Sequence, residues 1–352
     1  MRDDPKILLL RRRGLGDLLV SLDLLRALRA KWPASTIEVL VDRPLASVLE
    51  ACPGIDAARV YDAAAMRRMS WLPRVQAGLK WMQELRAQKY DVVLDLMGTP
   101  QTALWTRRTG AARRVGIERA WRSWAYTLLL PSDAGEKRFA GERSLDFARA
   151  LGIDPGAWRP TELVAPELGE PLGTLLKQRL RPLVGLNPSA TWEAKAWPAE
   201  HWAALARLLS ARLAARPLML WGPGDEGRRD AIQRLSGAAV ETLPATSLRE
   251  STGVLAGLDL LITTDSGPKH LAVAVGTPTL TLFGSTDPRG WQPALARHEA
   301  LHDTALPCRP CDLLECPLDG HPCMEGLLPD VVGERALEIL GRAGKLSGDA
   351  HG

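Results

Sequence analysis

The chain has 352 residues, 46% of them hydrophobic and 24% charged, a soluble globular balance that is too long for one ordinary core and points to two domains. No apolar run reaches the roughly 18 residues that span a bilayer, and the first strand-length run ends at once in Arg11, Arg12 and Arg13, so neither a membrane span nor a secretory leader is expected, and a cytoplasmic location is. The net charge of +4 is uneven: residues 1–160 hold 27 Lys+Arg against 18 Asp+Glu, and a basic half of this kind suits an anionic partner.

The first strand, Ile7–Leu10, leads through Gly14, Gly16 and Asp17 into helical periodicity over Leu18–Lys31. The glycines permit a tight turn and a close backbone approach. Asp17 falls at the helix start, where a plain capping role competes with a chemical one. Leu19 stands where the third glycine of a dinucleotide fingerprint belongs, which argues against a nicotinamide site despite Asp42 at the end of the next strand. Strands at Ile37–Val41, Val92–Leu94 and near Val115 follow, with a helix at Val75–Gln88. Residues 66–89 mix Met, Trp, Leu and basic side chains. Such a stripe suits an anionic membrane surface, but packing on its own core is the preferred reading, as it is for many of the 12 Trp.

Residues 158–173, rich in Pro, Gly and Glu, read as a linker. Beyond them, strands at Leu183–Leu186, Leu218–Trp221, Leu260–Thr263 and Thr279–Phe283 alternate with helices at 199–214, 226–236, 247–256 and 267–275. The α/β pattern thus occurs twice. It predicts Rossmann-like domains over 1–165 and 175–343, whose strand ends would face a cleft, and a disordered polar tail at 344–352.

The strand ends of the second half are polar. Ser189, Thr191 and Lys195 supply hydroxyls and a cation suited to a diphosphate, although each alone is an ordinary loop residue. Glu226 follows Gly222 and Gly224 and suits either a ribose or a helix cap. Asp265, Ser266 and Gly267 precede a helix whose start would attract an anion, and His270 lies one turn on, beside Lys269. Cys308, Cys311, Cys316 and Cys323 follow C-x2-C-x4-C-x6-C, which fits a closed four-thiolate structural site for zinc, or for a single iron, better than two disulfides in the cytosol. No basic run flanks this knuckle, so a nucleic-acid module is not expected. Cys52 reads as a small core residue.

Taken together, "RRRGLGD", "NPSATWEAKAWP", "WGPGDE" and "TTDSGPKHLAVAVGTPTLTLFGSTDP" resemble glycosyltransferase family 9, the heptosyltransferases of lipopolysaccharide synthesis, over most of residues 5–335. The resemblance implies a GT-B fold and inverting transfer of a sugar, heptose from ADP-heptose, to a lipopolysaccharide core or related glycan. It implies Asp17 as the general base, Thr191 and Lys195 on the donor diphosphate, Glu226 on the ribose, Asp265 on the donor sugar, and Gly267 and His270 shaping the pocket. Ala190 stands where some members have the first of two threonines, and Ser189 is the candidate substitute. The implied acceptor is lipid-linked and acidic, with Arg11, Arg13, Arg113, Arg114 and Arg122 as candidate contacts and a peripheral position on the inner membrane. No two aspartates stand two positions apart, so no Asp-x-Asp metal motif exists and no catalytic metal is expected. The alternatives are a nucleotide-sugar epimerase of the same fold and a noncatalytic nucleotide-sugar-binding scaffold.

Overall fold

Six parallel strands form the sheet of the first half: β1 (Lys6–Leu10), β2 (Thr36–Asp42), β3 (Ala57–Tyr61), β4 (Val92–Asp95), β5 (Arg113–Ile117) and β6 (Leu128–Leu130), in the order β3-β2-β1-β4-β5-β6. The central strands are covered on both faces, which is why they read as unbroken apolar runs. Leu8, Leu10, Leu40 and Val93 build one core layer with Tyr61 and Trp105. A second sheet holds β7 (Val184–Asn187), β8 (Leu218–Met219), β9 (Glu241–Thr242), β10 (Leu260–Thr264), β11 (Thr279–Leu282) and β12 (His298–Leu301), in the order β12-β11-β10-β7-β8-β9. Numbered within its own half, this is the same order as the first sheet. Its core includes Leu260, Ile262, Leu280 and Leu282, covered by Trp197, Trp202 and the helix Pro329–Arg342.

This computed structural model describes residues 4–346 except 120, 133–136, 179, 214 and 215, and falls into two compact units, Met1–Leu163 and Val164–Gly352. The last six residues of the expected disordered tail lie outside the described residues. β3, β6, β9 and β12 went unread in the sequence: all four are sheet edges, β3, β9 and β12 are rich in small and polar residues, and β6, though Leu-Leu-Leu, is only three residues long. The expected helix 18–31 is two helices, Leu15–Ser21 and Asp23–Lys31. Ser21 Oγ donates to the Leu18 carbonyl at 2.8 Å, a back-bond that bends helices.

The segment 66–89 departs from its preferred reading. Only Leu85 of the helix Trp71–Ala87 is buried, and Trp71 is 70% exposed. Trp81 does turn inward, 5.3 Å from the Tyr61 ring and 5.9 Å from Trp105, but Leu72, Val75 and Leu79 face outward. Trp121 and Trp124 are exposed as well. Among the described residues, no helix is long and apolar enough to cross a membrane.

Candidate active site

In an open parallel sheet, ligands settle at the carboxyl ends of the strands, where the strand order reverses. In the first unit that point lies between β1 and β4. A cavity of about 710 Å³ opens there, lined by Arg11 after β1, Leu96 and Met97 after β4, and Asp17 from the helix Leu15–Ser21. Gly14 makes the turn between strand and helix at φ 83°, and a Cβ at that position would lie 2.3 Å from Asp17 Oδ2. The glycine therefore clears the space in which the Asp17 carboxylate sits. Arg11 donates to Asp17 Oδ1 and, at 2.8 Å, to the Leu96 carbonyl. Burial pulls the Arg11 pKa down, and Asp17 opposes that shift. The turn after β4 is shaped by buried Asp95, which accepts from the Met97 and Gly98 amides, both at 3.0 Å, and from Tyr126 Oη at 2.8 Å. Burial raises the Asp95 pKa.

Arg119, Arg138, Arg143 and Arg149 also line this cavity, so cations outnumber its two acids, Asp17 and Asp146. Sequence reading missed these four, since two precede and two sit within the helix Ala140–Ala150, which carries no motif. Of the arginines it did select, Arg11 reaches the cavity. Arg13 lines a different one, and Arg113, Arg114 and Arg122 line neither. Arg114 and Arg122 instead hold backbone, at the Ala125 carbonyl (2.8 Å) and the Gly98 carbonyl (2.5 Å).

The second unit concentrates charge at its own reversal point, between β7 and β10. Asp265 leaves β10 buried at 3% exposure and is bound on every side. Its Oδ2 accepts from Lys195 Nζ at 3.0 Å and Thr286 Oγ1 at 2.8 Å, and its Oδ1 accepts from Lys269 Nζ at 2.5 Å. Burial would raise the Asp265 pKa, but Lys269 and Lys195 outweigh it and hold the carboxyl well below its ordinary range. With one acid between two lysines, the cluster carries a net positive charge. Lys195 also lies 4.3 Å from the Trp192 ring centroid, a cation–π contact that keeps its ammonium at the pocket wall. His270 is buried one turn along, and burial, reinforced by Lys269, pushes its pKa well down, so its imidazole is neutral near pH 7.

The other predicted donor residues surround this cluster. Ser266 stands at the residue before the helix Gly267–Ala274 without bonding its amides, and its Oγ accepts from Asn187 Nδ2 at 3.3 Å. Ser189 Oγ donates to Asp225, and Thr264 Oγ1 donates to the Ser189 carbonyl at 2.6 Å, tying the loop after β7 to β10. Thr191 is exposed at the tip of that loop. Glu226 opens the helix Glu226–Ser236 with its carboxylate turned back onto the Gly224 amide at 2.9 Å. Lys269 and Thr286 were not chosen as site residues from sequence. The signal for Lys269 was its place four residues after Asp265 on a helix start, and Thr286 ends the run Gly284-Ser285-Thr286 after β11.

The family model described as "Glycosyltransferase family 9 (heptosyltransferase)" matches residues 79–321. The lipopolysaccharide heptosyltransferase 1 of Pseudomonas aeruginosa is 30% identical over 323 residues, covering 87% of this chain and 86% of that protein. The chain belongs to glycosyltransferase family 9. Two solved structures share the fold of this family 9 enzyme. The glycosyl transferase family 9 protein of Veillonella parvula has a TM-score of 0.79 at 22% identity, covering 97% and 99% of the two chains. The E. coli heptosyltransferase WaaC, solved with ADP, has a TM-score of 0.72 at 22% identity, covering 95% and 99%. The expected GT-B architecture of two Rossmann-like α/β units is therefore the one this glycosyltransferase has.

The four-cysteine knuckle is different. Cys308, Cys311, Cys316 and Cys323 are all free thiols, and no group of three or more His, Cys, Asp or Glu side chains stands close enough to hold a metal ion among the described residues. Four thiols suit zinc or iron chemically, but this arrangement does not gather them. Cys323 is buried in the core while Cys308 is exposed. Burial raises the Cys323 thiol to about 11, Arg309 opposes the shift, and Cys316, Cys308 and Cys311 add to it. Arg309 organises this loop, donating to the carbonyls of Gly284 (2.6 Å), Asp303 (2.7 Å) and Thr286 (3.3 Å).

Proposed function

We propose that this glycosyltransferase moves heptose from ADP-heptose to a lipopolysaccharide core acceptor, with inversion and with Asp17 as the general base. The observation that carries the reading is the arginine-lined cavity around Asp17 in the first unit. An acceptor bearing phosphate or carboxylate groups would be held by the arginines, with a hydroxyl presented to the one acid that Arg11 orients. The names of the relatives support the heptosyl class, and the ADP in the WaaC structure supports an adenosine diphosphate donor.

The donor is assigned to the second unit. Lys195, Ser189 and Thr191 would take the diphosphate, aided by the amides at the start of the helix Gly267–Ala274. Glu226 would take the ribose, and Asp265, Ser266, Gly267 and His270 would frame the sugar. In the reaction the acceptor oxygen attacks the anomeric carbon, its proton passes to Asp17, and the bond to the diphosphate oxygen breaks with its electrons staying on that oxygen. The positive cluster at Lys195 and Lys269 would stabilise the departing anion. Transfer is assigned without a catalytic metal. A structural zinc or iron at the four cysteines belongs to the same reading and rests on their C-x2-C-x4-C-x6-C spacing alone. The enzyme is placed in the cytoplasm, where nucleotide sugars are made.

The test is a transfer assay with ADP-heptose and a core acceptor in EDTA. Heptosylated product with ADP released supports the reading. Release of ADP and free sugar alone, or selectivity for UDP or GDP donors, overturns it.

A further inference from the structure

Residues 302–321 run from β12 to the helix Pro322–Glu325 without a strand or helix of their own. A loop of that length inside a compact unit is usually functional or disordered. This one is bonded along its course to both loops that carry the Asp265 cluster. On one side it grips the turn after β11. The Cys311 and Asp312 amides both donate to the Ser285 carbonyl at 3.0 Å. The Arg309 guanidinium donates to the carbonyls of Gly284 and Thr286, on either side of Ser285, and its bond to the Asp303 carbonyl closes the loop on itself. Thr286 is buried, and its hydroxyl donates to Asp265 Oδ2, the same oxygen that Lys195 holds.

On the other side the loop grips the turn Glu193–Lys195. The Ala194 amide donates to the Leu314 carbonyl at 2.9 Å. His321 Nε2 lies 3.0 Å from the Ala194 carbonyl, which can only accept, so this nitrogen carries the proton. His321 has φ 40°, a left-handed backbone unfavourable for a residue with a side chain, at the point where its ring reaches Ala194. The segments meet at Gly284, where a Cβ would lie 2.6 Å from the Ala194 carbonyl oxygen and 2.8 Å from Met324 Sδ. The residue before Lys195 is thus bonded through its amide and its carbonyl, and Thr286 through its carbonyl.

We propose that residues 303–324 form a strap that sets the donor site, with Arg309 positioning Thr286 and His321 positioning Lys195. This rests on the assignment of the donor diphosphate to the second unit. Lys195 and Thr286 share one oxygen of Asp265, so a shift of either loop moves the ammonium away from the diphosphate it is to hold. The planar guanidinium fixes two carbonyls of one turn at once, which a point charge on a flexible stem does not. Neither residue touches the donor; both act through the loops they hold.

The test is calorimetric titration of the full chain with ADP, with the KM of each substrate taken from the transfer assay. Arg309→Met should weaken ADP binding and raise the donor KM about tenfold, the scale of coupling within one bonded network, and leave the acceptor KM unmoved. In a Thr286→Val background the same change should add little, because the route through Thr286 is already cut. His321→Leu should weaken ADP binding, and His321→Gln, whose amide can still donate to the Ala194 carbonyl, should restore most of it. If Arg309→Met loses its melting transition, the His321 pair decides alone. Variants that bind ADP as the wild type does, losses that add fully with Thr286→Val, or equal rises in both KM values overturn the proposal and leave the donor assignment standing. A wild-type chain that does not bind ADP overturns the donor assignment, and the strap with it.

Discussion

Lys195 Nζ lies 3.0 Å from Asp265 Oδ2 across 70 residues of sequence, joining the loop after β7 to the end of β10. Lys269 holds the other oxygen of the same carboxylate. Asp265→Asn would leave two ammonium groups facing each other in a buried site, and breaking such a cluster by removing one partner costs about 3–5 kcal/mol. Urea denaturation should show a loss of that order. Lys195→Ala leaves Asp265 paired with Lys269 and should cost less stability, while raising the donor KM and lowering kcat. A Lys195→Ala enzyme with wild-type kinetics would remove Lys195 from the diphosphate site.

Asp17→Asn keeps the shape of the carboxylate and removes its basicity. Transfer should fall about 100- to 10,000-fold, the usual worth of a positioned base, with ADP affinity unchanged in calorimetry. Gly14→Ala should mimic part of this loss, because its methyl group would press on Asp17 Oδ2.

Arg119 lines the Asp17 cavity and lies outside the second unit. Arg119→Gln should raise the acceptor KM about tenfold, the value of one charge-assisted contact, without moving the donor KM. Equal effects on both substrates would argue against a cavity reserved for the acceptor.

Two buried histidines give the stability a pH dependence with a definite sign. Burial lowers His298 to about 4 and pushes His270 well below its ordinary value, so the unfolded chain binds protons that the folded chain refuses. Their contribution is complete above about pH 6.5 and is lost as the pH falls toward the folded values. For His298 that loss amounts to about 3 kcal/mol by pH 4, on the order expected for its shift. Unfolding free energies that stay flat between pH 7 and 5 would contradict it.

The cysteine segment is open to direct chemistry. Burial raises Cys52 to about 12, so it should resist iodoacetamide at pH 8, and the informative thiol is exposed Cys308. Atomic emission on the purified protein should find one zinc or iron per chain if the four thiols close on a metal, and Cys308 should then be protected until a chelator is added. A metal-free protein with reactive Cys308 would end the proposal.

Much of the candidate site's geometry could be read from sequence because strand ends announce it: an apolar run that stops at Asp265 or Asn187 marks the end of a strand, the place where open parallel sheets meet ligands. The edge strands were opaque for the opposite reason. β3 reads Ala-Ala-Arg-Val-Tyr and lies half in solvent, so hydrophobic pattern has nothing to report. Arg143 and Arg149 were missed because a helix brings them to β1 from over 130 residues away, a distance that local pattern does not encode. The helix Trp71–Ala87 was misjudged because a Trp and Leu stripe carries the same signature whether its cover is a sheet or something outside the chain.

Each ladder of strands closes within its own unit, and both follow one order. A nick in the stretch between Leu163 and Leu172 would sever no β-pairing in either sheet. The two halves can therefore change as separate modules, without either relearning how to fold.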